Sequence, residues 1–174
     1  ISGTGVVYKF VEAIDKNEGV DFYSDFIDLA AIATVADVMN TTTMDNKAII
    51  NLGFKNFKNP YFTEYHRATA RIKEKPVNPE LISFYLVPPI NALIRIGKAE
   101  EKEELFRAIV GELPPQLVVA SVGRLKSKHD RDKEPIIIRI AMGLNTTPGA
   151  KEHAVIMTTA PQNTPRVMTG VIAG

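Results

Sequence analysis

The sequence contains no cysteine among its 174 residues. This absence excludes disulfides, iron–sulfur clusters and cysteine-based zinc sites, and it predicts a cytoplasmic protein in a reducing compartment. The net charge is only +1, from 21 basic and 20 acidic residues, which excludes the global basic field of many nucleic-acid-binding proteins. Any contact with nucleic acid is therefore expected to be local. No apolar run approaches the roughly 18 residues of a transmembrane helix, so no membrane association is expected.

Histidine is scarce, and the motifs of common hydrolases are missing. The three histidines, His66, His129 and His153, show neither the H-E-x-x-H pattern nor any paired spacing. We interpret each of them as a surface or structural residue. The nucleophile elbow G-x-S-x-G is absent as well. With 45% hydrophobic and 24% charged residues, the chain nevertheless has the composition of a globular protein.

The two ends of the chain indicate a fragment of a longer protein. The sequence begins ISGTG without a methionine and ends TGVIAG, where a glycine-punctuated apolar segment starts. SGTG, residues 2–5, has two interpretations, a helix-packing glycine segment or a phosphate-binding loop, although it lacks the lysine of the latter. The apolar residues that follow recur at helical spacing and predict an amphipathic helix: Val6 or Val7, Phe10, Val11 and Ile14.

The stretch IDLAAIATVADVM, Ile27 to Met39, is apolar on every side and predicts a buried helix that carries two acidic residues. In one continuous helix Asp28 and Asp37 would point in opposite directions, because each residue turns the helix by about 100°. Asp28 suits the start of a helix, whereas Asp37 lies near the end, where the helix dipole disfavours a carboxylate. A carboxylate in apolar surroundings requires a cationic partner. We therefore expect Asp37 to lie beside a metal ion.

Turn residues predict where several shorter helices begin and end. Gly53 is expected to close a helix in KAIINLGF. Asn59-Pro60 and Asn78-Pro79 are expected to open the next two, because proline is tolerated in the first helical turn. Pro88-Pro89 is expected to stop the second of them.

The second half of the chain reads as a charged helix followed by a long one. KAEEKEELFRAIVGE has an apolar stripe of Leu105, Ala108 and Ile109. From Pro115 to about Leu144 the pattern is helical but interrupted by Pro135, which predicts a kinked or two-piece helix. The composition changes at NTTPGAK, and HAVIMTTA beyond it has the β-branched content of a strand.

Two groups of basic and amide side chains are candidates for binding anions. Asn91 and Arg95 lie four residues apart and share a helix face, where they could hold one phosphate; an interhelical ion pair of Arg95 is the alternative. Arg124, Lys128 and Arg131 also fall on one helical stripe. This stripe either follows a nucleic-acid backbone or forms a solvated helix face, which the interleaved acidic residues favour.

Four stretches together resemble landmarks of the DHH phosphoesterases, in particular the RecJ-type single-stranded-DNA exonucleases. They are SGTGVVYKF, DLAAIATVADVM, VPPINALIRIG and the terminal TGVIAG. The similarity covers Ile1 to about Gly111 and the last six residues. The Asp-x-Asp and Asp-His-His motifs of the family do not occur in this sequence. Where the family signature has glycine, arginine and glycine, the chain has Val87, Pro89 and Ile94, which suggests a divergent member such as one from a phage.

The resemblance implies an α/β fold in three parts. Residues 1–111 would form the mostly helical C-terminal part of a DHH catalytic domain, 112–149 the interdomain helix and linker, and 150–174 the start of a DHHA1-type α/β domain. It further implies a two-metal Mn²⁺ or Mg²⁺ site whose other ligands lie outside this chain, with Asp37 as a metal ligand and catalytic residue and Asp28 as a structural residue. Asn91, Arg95 and Gly170 would contact substrate phosphates.

The implied activity is metal-dependent, 5′-to-3′ hydrolysis of single-stranded DNA in recombination or repair, with replication or repair proteins as partners. The fragment alone is expected to be inactive. Two alternatives remain open at this point. One is a catalytically silent relative that acts as a binding scaffold, and the other is a phosphodiesterase for oligonucleotides or cyclic dinucleotides.

Overall fold

The computed structural model describes residues 1–146, with side chains described for 1–143. This part of the chain is mostly helical, contains no strand, and has no helix both long and apolar enough to cross a membrane. Its helices are α1 (Gly3–Glu18), α2 (Ile27–Ala36), α3 (Met44–Lys55), α4 (Pro60–Ala68), α5 (Pro79–Leu81), α6 (Val87–Ile96), α7 (Ala99–Ile109) and α8 (Gln116–Thr146). The predicted strand HAVIMTTA and the predicted second domain lie outside the described residues.

Helix α2 lies at the centre of the N-terminal half, as its apolar sequence predicts. It packs against both α1 and α3, and Ala30 and Ala31 are completely buried. Gly53 does not close α3 as predicted, because α3 continues to Lys55. A Cβ atom on Gly53 would lie 2.4 Å from the Cβ of Ala31 and 2.6 Å from the carbonyl oxygen of Ile27. Glycine is therefore needed here for the close approach of α3 to α2 and not for a turn.

The predicted starts of α4 and α5 are confirmed. The Asn59 side chain accepts hydrogen bonds from the backbone amides of Tyr61 and Phe62, and the Asn78 side chain accepts one from Leu81. Asparagine at this position satisfies amides that have no partner within the helix, and the following proline has no amide hydrogen to satisfy. The Asn59 side chain also donates to the carbonyl of Ile109 at 2.9 Å, which ties the start of α4 to the end of α7.

Pro88 and Pro89 do not stop the helix, which corrects the prediction made above. A π-helical turn (Ile82–Leu86) joins α5 directly to α6, and the Val87 amide donates to the Ile82 carbonyl five residues earlier. The wider π turn accommodates a segment in which two successive residues cannot donate backbone hydrogen bonds. Both prolines then lie in the first turn of α6, where their missing amide hydrogens are tolerated.

Helix α8 is the longest element and packs along α6. Val118 and Val122 of α8 and Leu93 of α6 are completely buried in the main hydrophobic core. Pro135 lies inside α8, which continues through it as one helix of 31 residues. Of the predicted kinked or two-piece helix, the two-piece alternative is therefore wrong, and the kink stays a prediction. The apolar stripe of α7 is confirmed, with Leu105 and Ala108 buried in the same core.

Helix α1 begins as predicted but buries less of its apolar face than predicted. The Ser2 hydroxyl accepts from the Gly5 amide at 3.1 Å and so caps the helix. The helix-packing interpretation of SGTG is not supported, because a Cβ on Gly3 would meet nothing within 4 Å and the atoms nearest to one on Gly5 belong to Ile1 and Ser2. Within the described part of the chain, the side chains that were expected to face the core are instead largely exposed: Val6, Val7, Phe10 and Ile14. Hydrophobic spacing predicts the helix but does not identify what covers each face.

Candidate functional site

A cleft of about 300 Å³ lies between the end of α2, the π turn with α6, and the middle of α8. It is lined by Val35, Ala36, Val38, Ser83, Val87, Pro88, Asn91, Ala92, Arg95, Lys126, His129, Asp130 and Lys133. Three cationic side chains and one carboxylate line it, so the cleft is net positive. Such a concave site with a few convergent polar groups is suited to an anionic ligand.

Helix α6 contributes the predicted pair Asn91 and Arg95 to one wall of the cleft. The four-residue spacing places both on one helix face, and both are exposed. Among the described residues, Arg95 forms no ion pair, so the alternative of an interhelical ion pair is not observed. Its guanidinium retains all of its hydrogen-bond donors for a ligand.

Helix α8 contributes the opposite wall with four residues at positions i, i+3, i+4 and i+7: Lys126, His129, Asp130 and Lys133. Lys126 hydrogen-bonds to the Asp130 carboxylate, whereas Lys133 has no ion-pair partner in the described region. Burial raises the pKa of Asp130, but the hydrogen bond and charge of Lys126, together with the neighbouring His129 ring, outweigh this effect and leave the pKa below its usual range. Asp130 therefore stays ionised and offsets one of the three cations.

His129 is the most enclosed residue of this wall. It is 6% exposed, and its Nε2 atom is buried with no hydrogen-bond partner among the described residues. Its Nδ1 lies 3.7 Å from an Asp130 carboxylate oxygen, which is beyond hydrogen-bond distance. A buried polar nitrogen without a partner costs about 1–3 kcal/mol, and most such atoms in folded proteins are paired.

Asp37 is not buried, which corrects the argument that led to its selection. Helix α2 ends at Ala36, and Asp37 follows it as an exposed residue. It lies between two cleft-lining residues, Ala36 and Val38, but does not line the cleft itself. Water solvates an exposed carboxylate, so Asp37 does not need a metal ion to be tolerated at the helix end. The physical reason given for a metal at Asp37 is therefore wrong.

The acidic residue that is buried in α2 is Asp28, at 1% exposure. Its carboxylate accepts backbone hydrogen bonds from Leu29 at 2.8 Å, Lys58 at 2.9 Å and Asn59 at 2.7 Å. These amides belong to the start of α2 and to the segment that leads into α4. Asp28 thus joins two elements distant in sequence, and the structural role expected for it agrees with this geometry.

The end of α2 has an unusual backbone at the edge of the cleft. The Met39 amide donates to the Thr34 carbonyl and the Val38 amide to the Val35 carbonyl, both at 3.1 Å, which is the Schellman pattern of helix termination. The residue in the left-handed position is Val38, with φ of 51°. A β-branched residue in this conformation is strained, and the position normally favours glycine.

The described residues do not form a metal site by themselves. No group of three or more His, Cys, Asp or Glu side chains that could hold a metal ion occurs among them. Asp37 could offer one carboxylate, the ligand type that Mn²⁺ and Mg²⁺ prefer. Residues 1–146 therefore fit a metal ion only as a source of one ligand. Gly170, the third predicted phosphate contact, lies outside the described residues.

No protein-family model matches the chain. A protein of Bacillus subtilis (strain 168) named as an SPbeta prophage-derived single-strand DNA-specific exonuclease, YorK, is 28% identical over 148 residues. The corresponding protein of Bacillus phage SPbeta matches equally. In each case the alignment covers 75% of this chain and 26% of the relative, so the chain spans about a quarter of these relatives' length.

A crystal structure of exonuclease RecJ bound to manganese has the same fold as this chain. The TM-score is 0.69 at 23% identity, and the match covers 92% of this chain and 40% of RecJ. The chain is a relative of the RecJ-type DHH exonucleases. The resemblance stated from the sequence is thereby confirmed. The metal-ligand and catalytic role of Asp37 and the phosphate contacts of Asn91, Arg95 and Gly170 in this chain remain predictions.

The sequence analysis did not identify the α8 wall of the cleft. Lys126, His129 and Lys133 were not selected, although their helical spacing was available as a signal. The stripe that was considered, Arg124, Lys128 and Arg131, is exposed and lines a separate surface that shares no residue with the cleft. Neighbouring stripes of one basic helix cannot be ranked until the packing of α6 against α8 is known.

Proposed function

We propose that this chain forms part of a metal-dependent exonuclease that hydrolyses single-stranded DNA from the 5′ end, and that the cleft between α6 and α8 holds phosphates of the strand. The observation that supports the cleft assignment is Arg95 on α6, which has no ion-pair partner among the described residues and lies opposite the basic wall of α8. The names of the relatives support the substrate, since both are named as single-strand DNA-specific exonucleases.

The chemistry of the cleft suits the backbone of DNA and not its bases. The planar guanidinium of Arg95 can donate two parallel hydrogen bonds to phosphate oxygens, and the Asn91 amide can donate a third. Lys133 adds a positive charge from the opposite wall. Contacts to phosphates position a strand without reading its sequence. We therefore expect binding that depends strongly on salt and little on base composition.

The metal is part of the proposal, with Asp37 as one ligand. When bound, divalent ions supply an activated water molecule and stabilise charge on phosphate oxygens. The position of Asp37 between two cleft-lining residues supports this role, since a ligand there would lie next to bound phosphate. The other ligands would come from outside the described residues, and the manganese in the RecJ structure supports the choice of ion.

The proposed arrangement in the longer protein follows the family resemblance. Residues 1–111 belong to the catalytic domain, 112–149 to an interdomain helix and linker, and 150–174 to the start of a second, α/β domain in which Gly170 contacts phosphate. The chain's coverage of about a quarter of its relatives supports a larger whole. A role in recombination or repair, with replication or repair proteins as partners, rests on the resemblance.

The proposal is tested with the longer protein that contains this chain, purified and assayed with manganese on 5′-labelled single strands. We expect cleavage that is lost on chelation and reduced at least a hundredfold by Asp37→Ala. Asp45→Ala is the matched control, because Asp45 is also exposed but, unlike Asp37, has no cleft-lining residue on either side of it in the chain. The control variant should retain full activity.

Three outcomes would contradict parts of the proposal. If Asp37→Ala cleaved as fast as the control, the metal assignment would be wrong. Strand binding without any metal-dependent cleavage by the unaltered protein would instead support a binding scaffold. A strong preference for pieces of about two to five nucleotides over long strands would support an oligonucleotide phosphodiesterase.

A further inference from the structure

We propose that His129 is a phosphate-contacting residue of the cleft, and that its Nε2–H donates a hydrogen bond to a phosphate oxygen of single-stranded DNA. This inference deepens the proposed function and rests on it. No sequence motif includes His129. The assignment comes from its enclosure in the wall of a net-positive cleft and from its unpaired nitrogen.

One ring nitrogen of His129 has no hydrogen-bond partner among the described residues. His129 is 6% exposed and its Nε2 has no partner within the described part of the chain. By contrast, the Nε2 of His66 lies 3.1 Å from the Lys75 carbonyl. Most buried polar atoms are paired in folded proteins, so this unpaired nitrogen is suited to a ligand. Nε2 is covered in this structure, and a phosphate in the cleft reaches it when the surrounding side chains move aside.

The other ring nitrogen of His129, Nδ1, bears on which nitrogen carries the proton. The Nδ1 atom lies 3.7 Å from Asp130, too far for a hydrogen bond that would fix the proton on Nδ1. The proton can therefore reside on Nε2, which makes that nitrogen a donor. The Asp130 carboxylate is already hydrogen-bonded by Lys126.

The other cationic side chains of the cleft indicate the chemistry of the ligand. Arg95 on α6 and Lys133 on α8 have no ion-pair partner among the described residues and line the same cleft as His129. An anion with several acceptor oxygens can bond to donors on both walls at once. A DNA phosphate has this property, and the enclosed position of His129 would make its hydrogen bond stronger than one in open water.

The test uses the 174-residue chain without metal and a 5′-phosphorylated oligothymidylate of five nucleotides. In a ¹⁵N-histidine-labelled sample, titration should shift the His129 ring resonances, assigned by their loss in His129→Gln, and leave those of His66 unchanged. Inorganic phosphate at equal concentration serves as the second arm. A shift with the oligonucleotide at much lower concentration than with phosphate identifies the strand as the ligand.

Two nearly isosteric variants separate hydrogen bonding from packing. His129→Gln keeps an N–H donor near the position of Nε2, whereas His129→Met fills similar space without a donor. We expect fluorescence anisotropy to show oligonucleotide affinity at least fivefold lower for His129→Met than for His129→Gln, with both variants folded by circular dichroism. Equal affinities, or unshifted His129 resonances in a chain that binds the strand through Arg95, would overturn the inference and leave the proposed function intact. Failure of the unaltered chain to bind the strand at all would count against the phosphate cleft of the proposed function.

Discussion

The two ends of helix α2 carry similar acidic residues with opposite surroundings. At the start, Asp28 is buried and its carboxylate accepts three backbone hydrogen bonds. At the end, Asp37 is exposed and follows directly after the last helical residue. The comparison teaches that an acidic residue in an apolar segment does not need a metal ion. Backbone amides satisfy one of these carboxylates and water solvates the other.

The largest expected effect is that of Asp28→Ala on stability. Removal of the carboxylate leaves the amides of Lys58 and Asn59 without their acceptor and releases the segment before α4. We expect a loss of about 3 kcal/mol, which lowers Tm by roughly 10 °C for a chain of this size. Thermal unfolding, monitored by circular dichroism, measures this change in Tm.

Asp37→Ala is the control for this prediction. Because Asp37 is exposed, its substitution should leave Tm unchanged. Asp28→Asn is a useful intermediate, because it keeps one acceptor oxygen and should lose less stability than alanine. If Asp28→Ala and Asp37→Ala unfolded at the same temperature, the contrast between the two ends of α2 would be wrong.

The second effect concerns the backbone strain beside Asp37. Val38→Gly should raise the free energy of unfolding by about 1 kcal/mol, because glycine adopts a φ of 51° without the steric cost that valine has. Val20→Gly is the matched control, an exposed valine outside the left-handed region, and should be slightly destabilising. Chemical denaturation should therefore give changes in the free energy of unfolding that are opposite in sign for the two variants. A loss of stability in Val38→Gly would show that the contacts of the valine side chain contribute more than the backbone strain costs.

The smallest effect is expected for a third aspartate, Asp130, which is exposed and pairs with the cationic side chain of Lys126. Its pKa is lowered in the folded state, so its contribution to stability is present above the ordinary carboxyl pKa of about 4 and is lost as the pH falls through the lower folded value. Because both side chains are partly exposed, solvent screens the pair and Asp130→Asn should cost well under 1 kcal/mol at pH 7. The Tm difference from the unaltered chain should vanish in acid; a difference that grew in acid would contradict the assignment.

Local chemistry made several features predictable from sequence, and tertiary packing made others unpredictable. Asn59 and Asn78 marked helix starts correctly because a capping side chain bonds within its own few residues. Gly53 was misinterpreted because the contact that requires glycine is made with α2, more than twenty positions away.

In the candidate site, too, local spacing predicts some features and tertiary packing determines the others. Asn91 and Arg95 were predictable as a pair because their spacing on one helix determines that they share a face. The partners across the cleft, among them His129, depend on how α8 packs against α6, and sequence spacing alone offered several equivalent stripes. Asp37 was predicted as a metal ligand because it was expected to be buried. It is exposed, and it stays a candidate because it lies next to the cleft.

The most direct test of the phosphate-binding cleft is the affinity of the 174-residue chain for a fluorescent single-stranded oligothymidylate, measured by anisotropy in chelator at low salt. Arg95→Ala is compared with Arg124→Ala, an equal change of charge at an exposed arginine on the separate surface of α8. We predict about a tenfold loss of affinity for Arg95→Ala, corresponding to 1.4 kcal/mol, and little change for Arg124→Ala. Equal losses for the two variants would show that binding is a general response to positive charge and would contradict a phosphate site between α6 and α8.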